Sequence, residues 1–265
     1  MSRSNPTEGA RNPSTRWFEW AGGADGGFVR WYDKEKKEHV KVEGAFVFLL
    51  LDELSTVKGW HEGSESAIYA NEVRDLRQEV LVVRSFEGGE LASGLYGAIR
   101  DRVSAIGGHY CTSIYLAYKE SDGLKLGNLS LKGAALSAWM DFKRNAPTKK
   151  DASGKSVKGY FTDAVKIGDF QQAKKGGTTY RVPVFSLAPV SEGTNQQAVA
   201  LDLELQAFLA DYFKRPKSEA VKTIAQTETQ KGNRFEDMKD DDPADYQADA
   251  DRQKSKEAEL EDLPF

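Results

Sequence analysis

The chain has 265 residues, of which 39% are hydrophobic and 29% are charged. That length suffices for one large domain or two small ones with a buried core. The single cysteine, Cys111, excludes an intramolecular disulfide and a cysteine zinc site. No apolar run approaches the length of a membrane span, and the first residues lack the apolar core of a signal peptide. We therefore expect a protein of the reducing cytoplasm that has no membrane partner.

The charge is distributed unevenly along the chain. The net charge is −4, from 41 acidic and 37 basic residues. Residues 235–265 contain 12 of the acidic and 4 of the basic residues, a net charge of −8, which leaves +4 for residues 1–234. A mildly basic body with an acidic tail is typical of a nucleic-acid binder that carries its own competitor.

The first sixty or so residues predict an arm followed by strands. Residues 1–16 are rich in Ser, Asn, Pro, Gly and Arg, and they predict a flexible arm. Residues 17–20 and 28–32 flank a glycine-rich turn and predict a hairpin or two short edge strands. Residues 40–54 predict a central strand that is apolar on both faces, and residues 55–61 predict a second, more polar strand.

The middle of the chain predicts further strands and two helices. The segments with strand composition are residues 66–73, 80–86, 109–119 and 124–131. An apolar stripe that ends at two glycines predicts a helix over residues 90–106. A shorter helix is predicted over residues 134–143.

A basic loop and a hairpin follow. Residues 145–159 are rich in Lys, Gly and Ser and predict a mobile loop. Residues 160–170 and 178–187 predict a hairpin around a Lys-Lys-Gly-Gly turn. Pro183 indicates that the second of these strands lies at an edge or contains a bulge.

The last predicted element is a helix, and a polar tail follows it. Residues 194–197 fit a capping box, and the helix is predicted to end at Lys214, before Pro216. Alternation at residues 199–205 also fits a strand, but the Ala, Leu, Gln and Glu content favours the helix. In residues 216–265, Leu, Ile, Val and Phe make up 6 of 50 residues, a composition that cannot bury a core. We expect this segment to be disordered.

Many short strands, few helices and glycine-rich hairpins predict a mainly β domain over residues 17–215. The pattern favours an OB-like (oligonucleotide-binding) antiparallel barrel with insertions. An antiparallel α+β sheet gives similar signals and stays open as an alternative.

Catalytic and metal-binding sets are not apparent in the sequence. Gly154-Lys155-Ser156 resembles the end of a phosphate-binding loop, but Lys149 stands where that motif requires glycine. The three histidines, His39, His61 and His109, lack metal-ligand spacing with acidic neighbours. We therefore expect a protein that is not an enzyme and that uses neither a cofactor nor a metal.

Aromatic side chains lie beside basic ones at four places. These are Arg30-Trp31-Tyr32, Lys58 with Trp60, Lys158 with Tyr160, and Lys174-Lys175 with Tyr180-Arg181. Single-stranded nucleic acid requires this combination, because bases stack on rings at about 1–3 kcal/mol each while cations neutralise the phosphates. Stacking accepts any base, so we expect binding without sequence preference. The same rings can instead fill an all-β core.

The chain ends in Asp262-Leu263-Pro264-Phe265 after an acidic run. Pro264 favours an extended tip, and Phe265 with its carboxylate suits an apolar pocket rimmed by Lys or Arg. This tail resembles the tails of bacterial and phage single-stranded DNA-binding proteins. The resemblance covers roughly the last thirty residues by motif.

The resemblance implies a protein that coats and protects single-stranded DNA in the cytoplasm, that of a bacterial host if a phage encodes it. It further implies that Asp262, Leu263, Pro264 and Phe265 recruit replication, recombination and repair proteins. A homodimer stays open. Two alternatives also stay open, namely a strand-annealing or recombination-mediator protein and a metal-dependent nucleic-acid enzyme with a docking tail.

Overall fold

The structure is a computed structural model that describes residues 11–151 and 153–215, and most of its elements are strands. One sheet contains β1 (Arg16–Ala21), β2 (Phe28–Asp33), β3 (Glu38–Lys41), β4 (Phe46–His61), β5 (Ser66–Ala70), β6 (Leu81–Ser85), β7 (Gly89–Gly94), β8 (Gly108–Glu120), β9 (Gly123–Lys132), β12 (Ala164–Lys175) and β13 (Thr178–Ala188). A separate hairpin contains β10 (Thr148–Lys150) and β11 (Ser156–Lys158). The helices are α1 (Tyr96–Ala105), α2 (Gly133–Asn145) and α3 (Glu192–Lys214).

The long strand β4 organises the sheet. The strand order is β3-β2-β1-β9-β8-β4-β5-β6-β7, and β4 pairs with β8 along most of its 16 residues. On its other side, β4 pairs with β12 at residues 46–48 and with β5 at residues 58–61. One strand therefore holds two smaller groups of strands together.

One face of the sheet is covered by α1 and α2, and we call it the α2 face. Between α2 and the sheet, Trp139 and thirteen other buried residues, among them Phe18, Phe48, Ile114 and Leu129, form one cluster. Beneath α1, a second cluster of nine buried residues spans β4, β5, β6 and β7. Burial of apolar area on this scale is the main stabilising contribution to such a domain.

The opposite face carries α3, and we call it the α3 face. Leu205, Phe208, Leu209 and Tyr212 of α3 pack on Leu54, Tyr115 and Leu126 of the sheet. The helix begins after Ser191, whose hydroxyl oxygen accepts a hydrogen bond from the N–H of Thr194. Capping of this kind satisfies one of the otherwise unpaired N–H groups at the helix start.

The prediction of a mainly β domain with helices is confirmed. The hairpins at residues 17–32 and 160–187, the paired strands β8 and β9, and the helices α2 and α3 all lie where the sequence placed them. Pro183 lies in β13, which pairs only with β12 among the described strands. The described strands form an open sheet, so the predicted OB-like barrel is not confirmed.

Several boundaries were wrong. Residues 55–61 continue β4 instead of forming a second strand, because β8 pairs with β4 without interruption from Asp52 to Gly59. Gly44 adopts a φ of 70° and separates the unpredicted β3 from β4. Gly89, with a φ of 72°, turns the chain into β7, so the predicted helix begins only at Tyr96.

Two other predicted regions differ in part from the structure. The basic loop contains the β10–β11 hairpin. Residues 11–16 of the predicted arm contact the sheet: Thr15 donates to the carbonyl of Leu126 from both its N–H and its hydroxyl, at 2.8 Å each. Residues 1–10 and the tail, residues 216–265, lie outside the described residues.

Candidate nucleic-acid interface

A row of polar and aromatic side chains crosses five strands on the α3 face. His109 of β8 lies opposite Lys58 of β4, and Lys58 lies opposite Tyr69 of β5. Tyr69 in turn lies opposite Arg84 of β6, which lies opposite Glu90 of β7. Directly opposed residues of antiparallel strands place their side chains on the same face, about 4.5–5.5 Å apart. The pairing registers therefore form one continuous row.

The alternation along β4 determines which face this row occupies. Leu54 packs under α3, and Lys58 lies four residues further along the same strand without an intervening register shift. Side chains two and four residues apart on a strand share a face. Trp60, two residues beyond Lys58, therefore belongs to the same surface as the row.

Lys132 adds a second cation beside His109. It lies opposite Cys111, two residues along β8 from His109. Burial, and to a smaller extent the charge of Lys132, lowers the pKa of His109 to about 3. His109 is therefore a neutral imidazole at physiological pH, flanked by Lys58 and Lys132.

We call the resulting surface the Lys58 patch; its members are Lys58, Trp60, Tyr69, Arg84, His109 and Lys132. Tyr69 is 8% exposed, and its ring lies 4.7 Å from that of Phe86. Arg84 is 3.3 Å from the carboxylate of Glu90, which partly offsets its charge. From β9 to β6 the patch spans four strand spacings, or about 19 Å. That length corresponds to about five nucleotides of a stacked strand.

Of the four predicted aromatic and basic groups, only Lys58 and Trp60 belong to this patch. Arg30 and Tyr32 also lie on the α3 face, but on β2, where Arg30 is bound to Glu19 at 2.8 Å and Tyr32 packs on His39. Trp31 points to the α2 face, packs against its core and carries the guanidinium of Arg16 4.0 Å above its ring.

The group at residues 158–160 lies at the end of α2. Lys158 donates to the backbone carbonyls of Arg144 and Ala146 at 3.1 and 3.0 Å. Cations at a helix C-terminus satisfy its last carbonyl groups and interact favourably with its dipole. Tyr160 packs on Trp139 and Phe142, and burial raises its pKa. Lys158 and Tyr160 therefore both contact α2: Lys158 binds the carbonyl groups at its C-terminal end, and Tyr160 packs on its aromatic side chains.

The fourth group divides between the tip and the stem of the β12–β13 hairpin. Lys174 is exposed at the tip, with Lys175 beside it. Arg181 donates to the carbonyl of Gly26 and lies 4.7 Å above the ring of Phe170, so it joins the hairpin to the β1–β2 loop. Tyr180 lines a groove of about 470 Å³ between α2 and β13, together with Phe142 and Phe185.

Sequence reasoning missed Tyr69, Arg84, His109 and Lys132 as a group. Each lies in or next to a predicted strand, but, apart from Arg84 near Phe86, none belongs to a local pair of an aromatic and a Lys or Arg side chain, which was the signal used. Asp262, Leu263, Pro264 and Phe265 lie outside the described residues. Among the residues that the structure describes, no group of three or more His, Cys, Asp or Glu side chains is placed to hold a metal ion.

No protein-family model, curated protein or solved structure matches this chain. None of the helices in the described part of the chain is both long enough and apolar enough to cross a membrane.

Proposed function

We propose that this protein binds single-stranded DNA without sequence preference, and that the Lys58 patch is its binding surface. The single observation that carries the proposal is the row of opposed residues His109, Lys58, Tyr69 and Arg84 across four adjacent strands. It supplies the cations Lys58 and Arg84 for phosphates, and the half-buried rings of His109 and Trp60 lie beside them for bases, which is the combination that single strands require. Stacking accepts any base, so we expect binding of this kind to show little sequence preference.

The proposal includes an OB-like arrangement of part of the sheet. β1, β9, β8, β4, β12 and β13 follow one another as paired neighbours. The path then turns back toward its start, because Trp20 Nε1 donates to the carbonyl of Arg181 at 2.8 Å and the Arg181 N–H donates to the carbonyl of Gly22 at 2.7 Å. These contacts support a partly open barrel, which is the form that OB folds take.

The proposed role follows from such binding together with the acidic tail. The protein would coat exposed strands in the cytoplasm, protect them, and recruit replication, recombination and repair proteins through Asp262, Leu263, Pro264 and Phe265. The position of the C-terminal end of α3 supports separate roles for the sheet and the tail. Tyr212, near the end of α3, accepts a 2.7 Å hydrogen bond from the N–H of Glu72, just beyond β5. The end of α3 therefore lies beside the segment that follows β5, one of the strands of the Lys58 patch.

The test is a titration of labelled oligo-dT and of duplex DNA with the full chain at about 50 and 300 mM salt. We expect a preference for the single strand, quenching of tryptophan fluorescence, and an affinity that falls with salt. Equal affinity for single strand and duplex, without quenching, would overturn the proposal. Cleavage of the DNA on addition of Mg²⁺ or Mn²⁺ would support the enzyme alternative instead.

A further inference from the structure

The outward surface of α3 carries an apolar stripe that no described residue covers. Of the six large apolar side chains that are strongly exposed in the described chain, Val199 and Leu203 share this helix, with exposed fractions of 60% and 68%. They lie four residues apart and so are neighbours on one side of the helix. Ala207 and Ala210 continue the stripe and are also exposed. A surface helix ordinarily presents polar residues on this side.

The fold itself does not require this stripe. α3 is already attached to the sheet by its inner side, through Leu205, Phe208, Leu209 and Tyr212. Exposed apolar side chains grouped on one surface are typical of interaction sites. Charges appear on the stripe only at its two ends, Glu192 in the first turn and Lys214 in the last.

The stripe is complementary to itself when one copy is reversed. Because three turns of helix take about eleven residues, positions eleven before and eleven after Leu203 lie on the same side as Leu203. These positions are Glu192 and Lys214. Reversal about Leu203 therefore brings the acidic end of one helix beside the basic end of the other, and it aligns the two helix dipoles favourably.

Side-chain sizes match in the same arrangement. Val199 lies four residues before Leu203, and Ala207 lies four residues after it. Reversal consequently places Val199 of each helix opposite Ala207 of the other, and the two Leu203 side chains meet at the axis. Large side chains facing small ones allow two helices to approach to 8–10 Å and to interdigitate.

We propose that α3 is a self-association surface, which packs antiparallel against α3 of a second copy of this chain about a twofold axis at Leu203. The contact is isologous, so each copy contributes the same residues and the assembly closes as a dimer. Glu204 lies at the side of the stripe and meets Glu204 of the second copy, which keeps the association moderate. The dimer does not depend on DNA binding.

Sedimentation of the full chain over a range of concentrations, without DNA, tests the proposal. We expect a concentration-dependent dimer, and we expect Leu203→Asp to raise its dissociation constant by at least about tenfold. Phe161→Asp is the matched control, because Phe161 is 62% exposed on another element and should leave the dimer unchanged. A chain that stays monomeric, or a dimer unaffected by Leu203→Asp, would overturn the proposal.

Two further variants test the orientation of the helices. Glu192→Lys and Lys214→Glu should each weaken the dimer, and the double variant should restore it, because the reversed pair regains its attraction. Glu204→Gln should strengthen it. In the full chain, Leu203→Cys should form an intermolecular disulfide on oxidation, whereas Asn195→Cys, eight residues from the axis, should not. Cys111 is buried, so it contributes little background. A double charge reversal that fails to restore the dimer would exclude this antiparallel register.

Discussion

The hydroxyl of Tyr115 donates a 2.6 Å hydrogen bond to Oε2 of Glu72 beneath α3. Both residues are buried, at 0% and 9% exposure, and the backbone N–H of Glu72 donates to the hydroxyl of Tyr212 on the helix. Glu72 therefore joins the central strand β8 through its carboxylate, and α3 through its backbone N–H, to the segment after β5. Burial and the charge of Glu72 raise the pKa of Tyr115 well above its usual value.

Tyr115→Phe should destabilise the domain by about 1–3 kcal/mol, because it removes a hydrogen-bond donor from a buried carboxylate. Urea unfolding followed by circular dichroism measures the change in the free energy of unfolding. Tyr32→Phe is the control, since Tyr32 is only half-buried, and it should change stability by much less. If the free energy of unfolding is unchanged in Tyr115→Phe, the carboxylate of Glu72 does not need the hydrogen bond from this hydroxyl.

The depressed pKa of His109 makes stability depend on pH. In the unfolded chain His109 binds a proton below about pH 6.5, whereas in the folded chain it remains neutral down to about pH 3. Stability from this group is therefore present above pH 6.5 and is lost as the pH falls from 6.5 toward 3. Between pH 7 and pH 5 the loss should be about 2 kcal/mol.

Comparison of urea unfolding at these two pH values in the parent chain and in His109→Gln isolates this contribution. The variant should lose less stability on acidification, because it has no imidazole to protonate in the unfolded state. Equal losses in both chains would show that His109 titrates normally in the folded protein.

Substitutions in the Lys58 patch should separate DNA binding from folding. Lys58→Ala should reduce the slope of log affinity against log salt by about one unit, and Trp60→Ala should cost about 1–3 kcal/mol of binding. Lys36→Ala removes the same charge from an exposed turn and should change neither quantity. Trp31→Ala should instead lower stability, because its ring packs against the α2-face core. Anisotropy titrations on oligo-dT, with circular dichroism of each variant, measure both effects.

Arg181 and Lys174 should behave differently although both were predicted to bind DNA. Arg181→Ala should reduce the free energy of unfolding by about 1–3 kcal/mol, because it loses its charged hydrogen bond to the carbonyl of Gly26. Lys174→Ala, at the exposed hairpin tip, should leave stability unchanged. Thermal melts of the two variants distinguish them. A weaker salt slope in Lys174→Ala would extend the DNA path to this hairpin.

Removal of residues 235–265 should tighten DNA binding, most strongly at low salt. A tail with a net charge of −8 competes with phosphates for the patch at an effective concentration of about a millimolar, and salt screens that competition. Titrations of the full chain, the truncation and Phe265→Ala at about 50 and 300 mM salt measure it. Phe265→Ala should keep the competition but lose most binding to a polymerase, helicase or exonuclease partner. Unchanged DNA affinity on truncation at both salts would show that the tail does not compete.

Local patterns in the sequence were enough to predict most of the elements. Alternation and β-branched residues located β5, β6, β8 and β9, and helical spacing located α2 and α3, because these periods depend on neighbours within a few residues. Composition alone predicts that residues 216–265 are separate from the domain, and these residues lie outside the described part of the chain. The boundaries that failed, at β4 and β7, depend on pairing between separate segments: β8 pairs across the predicted break in β4, and β7 forms by pairing with β6.

Only the tertiary structure shows which residues form the Lys58 patch. The sequence shows that Lys58 and Trp60 share a face of one strand, but it cannot show that His109 and Tyr69 lie on either side of Lys58. That neighbourhood is set by the hydrogen-bonded registers of β4 with β8 and with β5, and a shift of one residue in either would move a whole set of side chains to the other face. The same reason explains Trp31: its position beside Arg30 in the chain determines that the two point to opposite faces, but only the packed sheet determines which face is the core.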